Sequence, residues 1–144
     1  MSAARATDTT VLGFDYGQRR IGVAVGQTIT RTATPLETLP ALAGQPNWAQ
    51  VSALIATWQP ACLVVGLPST EDGAPHALAP AIARFGRRLH GRFGLAVEYI
   101  DERLSSHEAA ALCRGNHQEV DAMAARLILE TWLNAPHPDT PRTP

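Results

Sequence analysis

Short apolar runs broken by turn residues dominate the first third of the chain. Val11 to Asp15 and Ile21 to Gly26 each read as a strand, and Tyr16-Gly17-Gln18-Arg19-Arg20 between them reads as a tight turn, so the pair predicts a β-hairpin. Ala33 to Leu39 is a weaker third strand. Asn47-Trp48-Ala49-Gln50 matches a helix N-cap followed by glutamine. Trp48, Val51, Ile55 and Trp58 then recur on one helical face, which places both tryptophans in the core, and Pro60 ends the helix. Cys62-Leu63-Val64-Val65-Gly66-Leu67 is continuously apolar, the pattern of a strand buried on both faces. Leu78, Ile82, Phe85 and Leu89 form the stripe of a second helix that starts near Pro75 or Pro80 and is broken by Gly91 and Gly94. Leu95 to Ile100 follows as a strand. Ser105-Ser106-His107-Glu108 is a capping box that opens a short helix to Cys113, and Val120 to Leu133 is the last helix. The order βββαβαβαα predicts an α/β fold: a mixed five-stranded sheet, three antiparallel hairpin strands and then parallel strands, flanked by helices.

At 144 residues the chain fits one domain with a single core, expected over residues 10–134. Residues 1–9 are small and polar, and residues 135–144 carry a proline at four positions, so both ends are expected to be loose tails. The composition, 45% hydrophobic and 17% charged, is that of a globular protein. No apolar run approaches ~20 residues, so no membrane partner is expected. The N-terminal residues lack the apolar core of a secretory signal, Cys62 and Cys113 suggest no disulfide scaffold, and no Cys/His zinc spacing occurs. A cytoplasmic location follows as the expectation. The net charge of −1 excludes a protein that coats nucleic acid through a strongly basic surface, so any nucleic-acid contact must come from a local patch. All 12 basic residues are arginine, the better bidentate phosphate partner, although a codon-usage bias that also gives the alanine richness is the better account of that composition.

Three carboxylates stand out by position. Asp15 ends the first strand, Glu102 lies just past the strand that closes at Ile100, and Asp121 falls in the first turn of the last predicted helix. Ligands of open α/β sheets sit at the carboxyl ends of parallel strands. If the strands ending at Asp15 and Ile100 are parallel neighbours, Asp15 and Glu102 meet at one edge, with Asp121 closing the set. Clustered carboxylates must share a proton or bind a cation, and hard ions such as Mg²⁺ or Mn²⁺ take oxygen ligands. Each residue also has a plainer use: Asp15 caps a turn, Glu102 pairs with Arg103 or Arg20, and Asp121 complements a helix dipole. Arg84, Arg87, Arg88 and Arg92 span an arc of roughly 140° away from the apolar stripe of their helix, either a phosphate-contacting face or a solvated one. Arg19 and Arg20, in the turn after Asp15, are placed to steer a phosphate or to balance the carboxylates.

Residues 12–26, Leu-Gly-Phe-Asp-Tyr-Gly-Gln-Arg-Arg-Ile-Gly-Val-Ala-Val-Gly, resemble the opening motif of the YqgF family. The resemblance continues through Leu63 to Pro68, Asp72-Gly73, Arg92-Phe93-Gly94, Asp101-Glu102-Arg103-Leu104-Ser105-Ser106-His107-Glu108-Ala109, Val120-Asp121-Ala122-Met123-Ala124-Ala125 and Ile128-Leu129-Glu130. It covers residues 11–134. It implies a ribonuclease H-like fold and a nuclease dependent on one or two Mg²⁺ or Mn²⁺ ions, held by Asp15, Glu102 and Asp121 as catalytic and metal-binding residues. Arg19, Arg20, Arg84, Arg88 and Arg103 become the candidate substrate contacts. Arg103, inside the matched motif, is equally suited to orienting the carboxylates. The resemblance further implies a role in 5′-end maturation of small-subunit ribosomal RNA, with pre-rRNA or the pre-ribosomal small subunit as partner, or in resolving branched DNA. One departure is plain: the loop before the last aspartate, Arg114-Gly115-Asn116-His117-Gln118-Glu119, is shorter and less basic than the family's, with His117 as an exposed loop residue or a substitute donor.

Two other functions compete. The hairpin also resembles the phosphate hairpin of the actin and sugar-kinase group, but such enzymes clamp a nucleotide between two lobes and this chain has room for one. A ribosome-assembly factor that binds RNA without turnover fits the short loop and the neutral charge, whereas three co-located acids without a metal are electrostatically costly. The sequence leaves the oligomeric state open between monomer and weak dimer.

Overall fold

A computed structural model describes residues 9–67, 77–100 and 117–135, with 117–121 described by backbone alone. Its elements are β1 (Thr10–Asp15), β2 (Arg20–Gln27), β3 (Thr32–Leu42), β4 (Gln45–Pro46), α1 (Trp48–Trp58), β5 (Cys62–Gly66), α2 (Ala79–Phe93), β6 (Ala96–Ile100) and α3 (His117–Asn134). They form a mixed sheet of six strands in the order β4-β3-β2-β1-β5-β6. The first hairpin is antiparallel, with Thr10 opposite Gln27 and Asp15 opposite Gly22. β5 runs parallel to β1 with Phe14 opposite Val65, and β6 runs parallel to β5 with Val65 opposite Tyr99.

The sheet has six strands rather than five because β3 runs on past Leu39 to Leu42 and turns back as the short β4. The turn residues Ala43 and Gly44 both have positive φ, 53° and 81°. Turns with two such residues join hairpins tightly, but they favour Asn-Gly or Gly-Gly, so Ala-Gly gives little signal in sequence. The β2–β3 register shifts between Val23 and Ala24, where Glu37 and Pro35 oppose them and Leu36 is the extra residue. A proline is tolerated in β3 beside such a bulge.

The helices divide between the two faces. Alternation along β1 sends Leu12 and Phe14 to the side covered by α1 and α2, where they pack with Val51, Ile82, Phe85 and Leu89. Phe85 is the centre of this layer, with its ring 5.7 Å from that of Phe14, 5.0 Å from Tyr16 and 5.9 Å from Trp48. The cap on α1 is as expected: the Asn47 side chain accepts from the Ala49 N–H at 2.9 Å. Trp48 is half-buried in the core layer, but Trp58 is not a core residue, being 36% exposed in the last turn of α1. The helix is short and only Val51 is fully buried in it, so the stripe leaves the sheet before Trp58. Gly91 lies within α2, and Gly94 is the left-handed cap that ends it.

The other face is covered by α3 alone among the described elements. Ala125, Ile128, Leu129 and Leu133 pack on Val11, Ala24, Ala33 and Val64. Beside Val11 and Val64, several strand positions beneath this helix are small because the backbone comes close. A Cβ on Gly13 would overlap Leu129 Cγ and stand 3.0 Å from its Cδ2, and one on Gly26 would stand 3.1 Å from Leu133 Cδ1. α3 begins at His117, earlier than the apolar pattern predicts, because His117, Gln118 and Glu119 carry no apolar signal. His117 is therefore helical rather than a loop residue, and Asp121 lies in the second turn, past the reach of a helix-start dipole effect. The predicted helix from Ser105 to Cys113, the loop 68–73 and both tails, Thr9 and Ala135 excepted, lie outside the described residues. Among the described residues no helix is long and apolar enough to cross a membrane.

Gly13→Ala is expected to lower the urea unfolding free energy by about 1–3 kcal/mol through overpacking against Leu129. In the Gly13→Ala/Leu129→Ala double variant the two losses should be clearly less than additive, because the second substitution removes the clash made by the first. Additive losses would show that Leu129 does not set the constraint.

Candidate active site

The carboxyl end of β1 sits in the middle of the sheet, with β2 on one side and β5 on the other. Asp15, half-buried, is its last residue, and alternation places it on the same face as Val11 and Gly13, the face covered by α3. The condition that the strand of Asp15 adjoins the strand ending at Ile100 is not met: the two are parallel, but β5 lies between them. One step beyond the Phe14–Val65 pair, the β5 residue level with Asp15 is Gly66, which pairs with Ile100. The intervening position thus carries no side chain, and two strand spacings, about 10 Å, separate the backbones of β1 and β6. Glu102 and Arg103, which follow Ile100 in the chain, lie outside the described residues.

The direction of α3 places Asp121. Leu133 meets Gly26, which is opposite Val11, and Leu129 meets Gly13, so the helix runs antiparallel to β1. Its N-terminal turns therefore extend toward and past the carboxyl end of the strand. Asp121, Ala125 and Leu129 share one i, i+4 row, and Ala125 and Leu129 of that row are fully buried on the sheet. Two turns back from Leu129, about 12 Å, carry the Asp121 backbone beyond Asp15, which is only about 7 Å along β1 from Gly13. Two hydrogen bonds help hold the far end of the helix: Trp132 Nε1 donates to Glu98 Oε1 on β6 at 3.2 Å, and Asn134 Nδ2 donates to the Arg31 carbonyl at 3.4 Å. Among the described residues no three His, Cys, Asp or Glu side chains converge.

The loop after Asp15 is held by the β3–β4 turn. The Ala41 N–H donates to the Arg19 carbonyl at 2.8 Å, and the Gly44 N–H donates to the Gln18 carbonyl at 3.0 Å. The buried Tyr16 hydroxyl donates to the Gly44 carbonyl at 2.9 Å. A Cβ at Gly44 would collide with that hydroxyl, so glycine is required there both for its φ and for the space. Arg19 is exposed on this loop, and Arg20 opens β2 half-buried.

The four arginines of α2 do not act as one face. The Arg92 guanidinium lies over the Trp48 ring, 4.4 Å from its centroid. Arg87 lines a shallow groove with His90 and Tyr99 beside the strand β6. Arg84 and Arg88 instead border a small hollow with Tyr16, Gln18, Gly44 and Gln45. Burial pushes the Tyr16 phenol above its ordinary value, and the charges of Arg84 and Arg88 draw it partly back. Tyr16, Gln18 and Gly44 are partners of these arginines that the sequence reading missed. The available signal was alternation: the residue after Asp15 must leave the sheet on the opposite face.

An antiparallel hairpin leading into parallel strands, a carboxylate at the end of the central strand and a helix crossing above it define a ribonuclease H-like protein. The fold is that of Thermus thermophilus RuvC, which superposes with a TM-score of 0.52 at 19% identity, covering 83% of this chain and 91% of that one, in its complex with Holliday junction substrate. The model of the RuvX family, described as Holliday junction resolvase, matches residues 9–135, and the chain belongs to this family, the YqgF family under another name. A relative from Nitrosococcus oceani is 53% identical over 129 residues, covering 85% of each chain. Another from Saccharophagus degradans is 49% identical over 142 residues, covering 94% of this chain and 99% of that one. Both carry the name "Putative pre-16S rRNA nuclease".

Tyr16→Phe is expected to cost about 1 kcal/mol at neutral pH by leaving the Gly44 carbonyl without its donor. The unfolded chain loses the phenolic proton near pH 10, before the native state does, so native stability falls as pH rises past that point. Urea melts between pH 8 and 11 should show part of this alkaline loss missing from the Phe variant. An unchanged pH dependence would mean that Tyr16 does not titrate differently in the two states.

Proposed function

We propose that this protein is an endonuclease that hydrolyses phosphodiester bonds in structured nucleic acid, and that its substrate is the 5′ leader of pre-16S rRNA during small-subunit assembly. The observation that carries the proposal is the placement of Asp15 at the carboxyl end of the central strand, on the face toward which the Asp121 turn of α3 projects. Two relatives similar over nearly the whole chain bear the name of that rRNA activity, which favours RNA over DNA. The family's own description supports a second reading, resolution of four-way DNA junctions.

In this reading Asp15, Glu102 and Asp121 hold the divalent ion. A donor set made only of carboxylate oxygens suits Mg²⁺ or Mn²⁺ and not a soft metal. Such an ion supplies Lewis acidity and lowers the pKa of a bound water. Gly66, level with Asp15 and paired with Ile100, puts no side chain on β5 between them. Arg19 and Arg20 flank the scissile phosphate from the loop after Asp15, and Arg103 orients Glu102 through a charge-assisted bond. Arg84 and Arg88 contact the substrate away from the reacting bond. The unit is a single cytoplasmic domain over residues 10–134, acting as a monomer or weak dimer.

The test is cleavage of a labelled pre-16S 5′ leader and a labelled four-way junction, with Mg²⁺ or Mn²⁺ and with EDTA. Wild type should cut the leader only with metal, and Asp15→Asn, Glu102→Gln and Asp121→Asn should each lower the rate by at least about a hundredfold. Preferential cutting of the junction would select the DNA reading. A folded wild type that binds the leader but cuts neither substrate would replace the nuclease with an assembly factor.

A further inference from the structure

Successive residues leave a strand on opposite faces, so the reacting edge at Asp15 has a counterpart on the other side of the sheet. That counterpart is the hollow bordered by Tyr16, Gln18, Gly44, Gln45, Arg84 and Arg88, with a volume of about 60 Å³. It is small and open on one side, and it has room for a group the size of a phosphate. Its charge is wholly positive: Arg84 and Arg88 lie one turn apart on the exposed side of α2, and among the described residues neither has a carboxylate partner. Each guanidinium offers five donors and no acceptor, and the two glutamine amides add further donors. The Tyr16 proton is committed to the Gly44 carbonyl, which removes that acceptor from the hollow. Tyr16 packs against Phe85, and the Gly44 turn is tied to the Gln18 carbonyl, so the floor of the hollow is fixed, while the exposed Arg84 and Arg88 side chains close on a ligand from its rim.

We propose that this hollow binds one backbone phosphodiester of the nucleic-acid substrate, as an anchoring site separate from the Asp15 edge and on the opposite layer of the sheet. The strand then passes around the Tyr16–Arg19 loop, with one phosphate held by Arg84 and Arg88 and a more distant one presented to Asp15. Arg87 and Arg92 take no part in this contact, since one lies beside Tyr99 and the other on Trp48. The proposal rests on the nucleic-acid reading above but not on turnover.

The experiment measures binding of the labelled leader RNA and the labelled junction by fluorescence anisotropy between about 50 and 200 mM salt, a range over which phosphate contacts dominate. All proteins carry Asp15→Asn so that the probes survive. Arg84→Gln/Arg88→Gln is compared with Arg87→Gln/Arg92→Gln, which makes the same charge change on the same helix. The first pair should weaken binding about tenfold or more and flatten the slope of log K against log salt by about 0.7–0.9, the loss of one phosphate contact. The second pair should leave the slope as it was. Equal effects of the two pairs, or no effect of the first, would overturn the proposal in favour of a diffuse basic face. Millimolar inorganic phosphate at matched ionic strength should compete only weakly, and displacement of the probes through Arg84 and Arg88 by phosphate alone would mark a free-anion site instead. If the wild type cuts nothing yet the slope responds as expected, the anchor stands and the nuclease falls. If it cuts and the slope does not respond, the reverse holds. Failure to bind either probe removes both.

Discussion

The close contact between Leu129 and the backbone of β1 at Gly13 is the constraint on which the rest of the site depends. The sheet floor under α3 is built from Gly13, Ala24, Gly26 and Ala33, and the bulk comes from the helix as Ile128, Leu129 and Leu133. A floor of small residues brings the helix axis near the sheet. Close packing of that kind allows little sliding, because Leu129 sits over Gly13 and Leu133 over Gly26. The register along β1 therefore fixes how far the N-terminal turns of α3 project past Asp15. A carboxylate on the strand and one on the helix are related through this single interface, since Gly13 stands two residues before Asp15 and Leu129 eight residues after Asp121.

The opposite layer is organised around Phe85, which touches Phe14, Tyr16 and Trp48. Tyr16 couples this core to the loop after Asp15, because its hydroxyl ends on the Gly44 carbonyl while the Gly44 N–H holds Gln18. The turn that makes these bonds contains Ala43 at φ 53°, a conformation that costs an L-residue roughly 1–2 kcal/mol. The hydrogen bonds to the hairpin loop offset that strain. The loop after Asp15 is thereby held in fixed relation to the aromatic core.

A nearly neutral chain that handles nucleic acid must concentrate its positive charge. α2 does so by separating its arginines according to neighbour: one is spent on an aromatic ring, one lies beside the edge strand, and two converge on a hollow lined by donors. Local concentration keeps nonspecific affinity low while leaving individual phosphate contacts strong.

The local elements were legible in the chain because each has a local cause. Alternating apolar runs mark β1, β2 and β5, the Asn47 cap and the Leu78-to-Leu89 stripe mark the helices, and the motif around Asp15, Glu102 and Asp121 marks the family. The misreadings share the opposite property. β4 depends on an Ala-Gly turn stabilised by hydrogen bonds to a loop about 25 residues earlier, and the first turn of α3 has no apolar residue to announce it. Trp58 lies on a good helical stripe, yet the sheet beneath ends before reaching it. The strand order was also hidden, since nothing local states that β5 enters between β1 and β6. By itself, then, the sequence determined most of the strands and helices and the family to which the chain belongs, because periodicity and residue type act over a few positions. Only the tertiary structure decided which strands adjoin, how far α3 reaches past Asp15 and which arginines share a hollow, because those follow from packing between residues far apart in the chain.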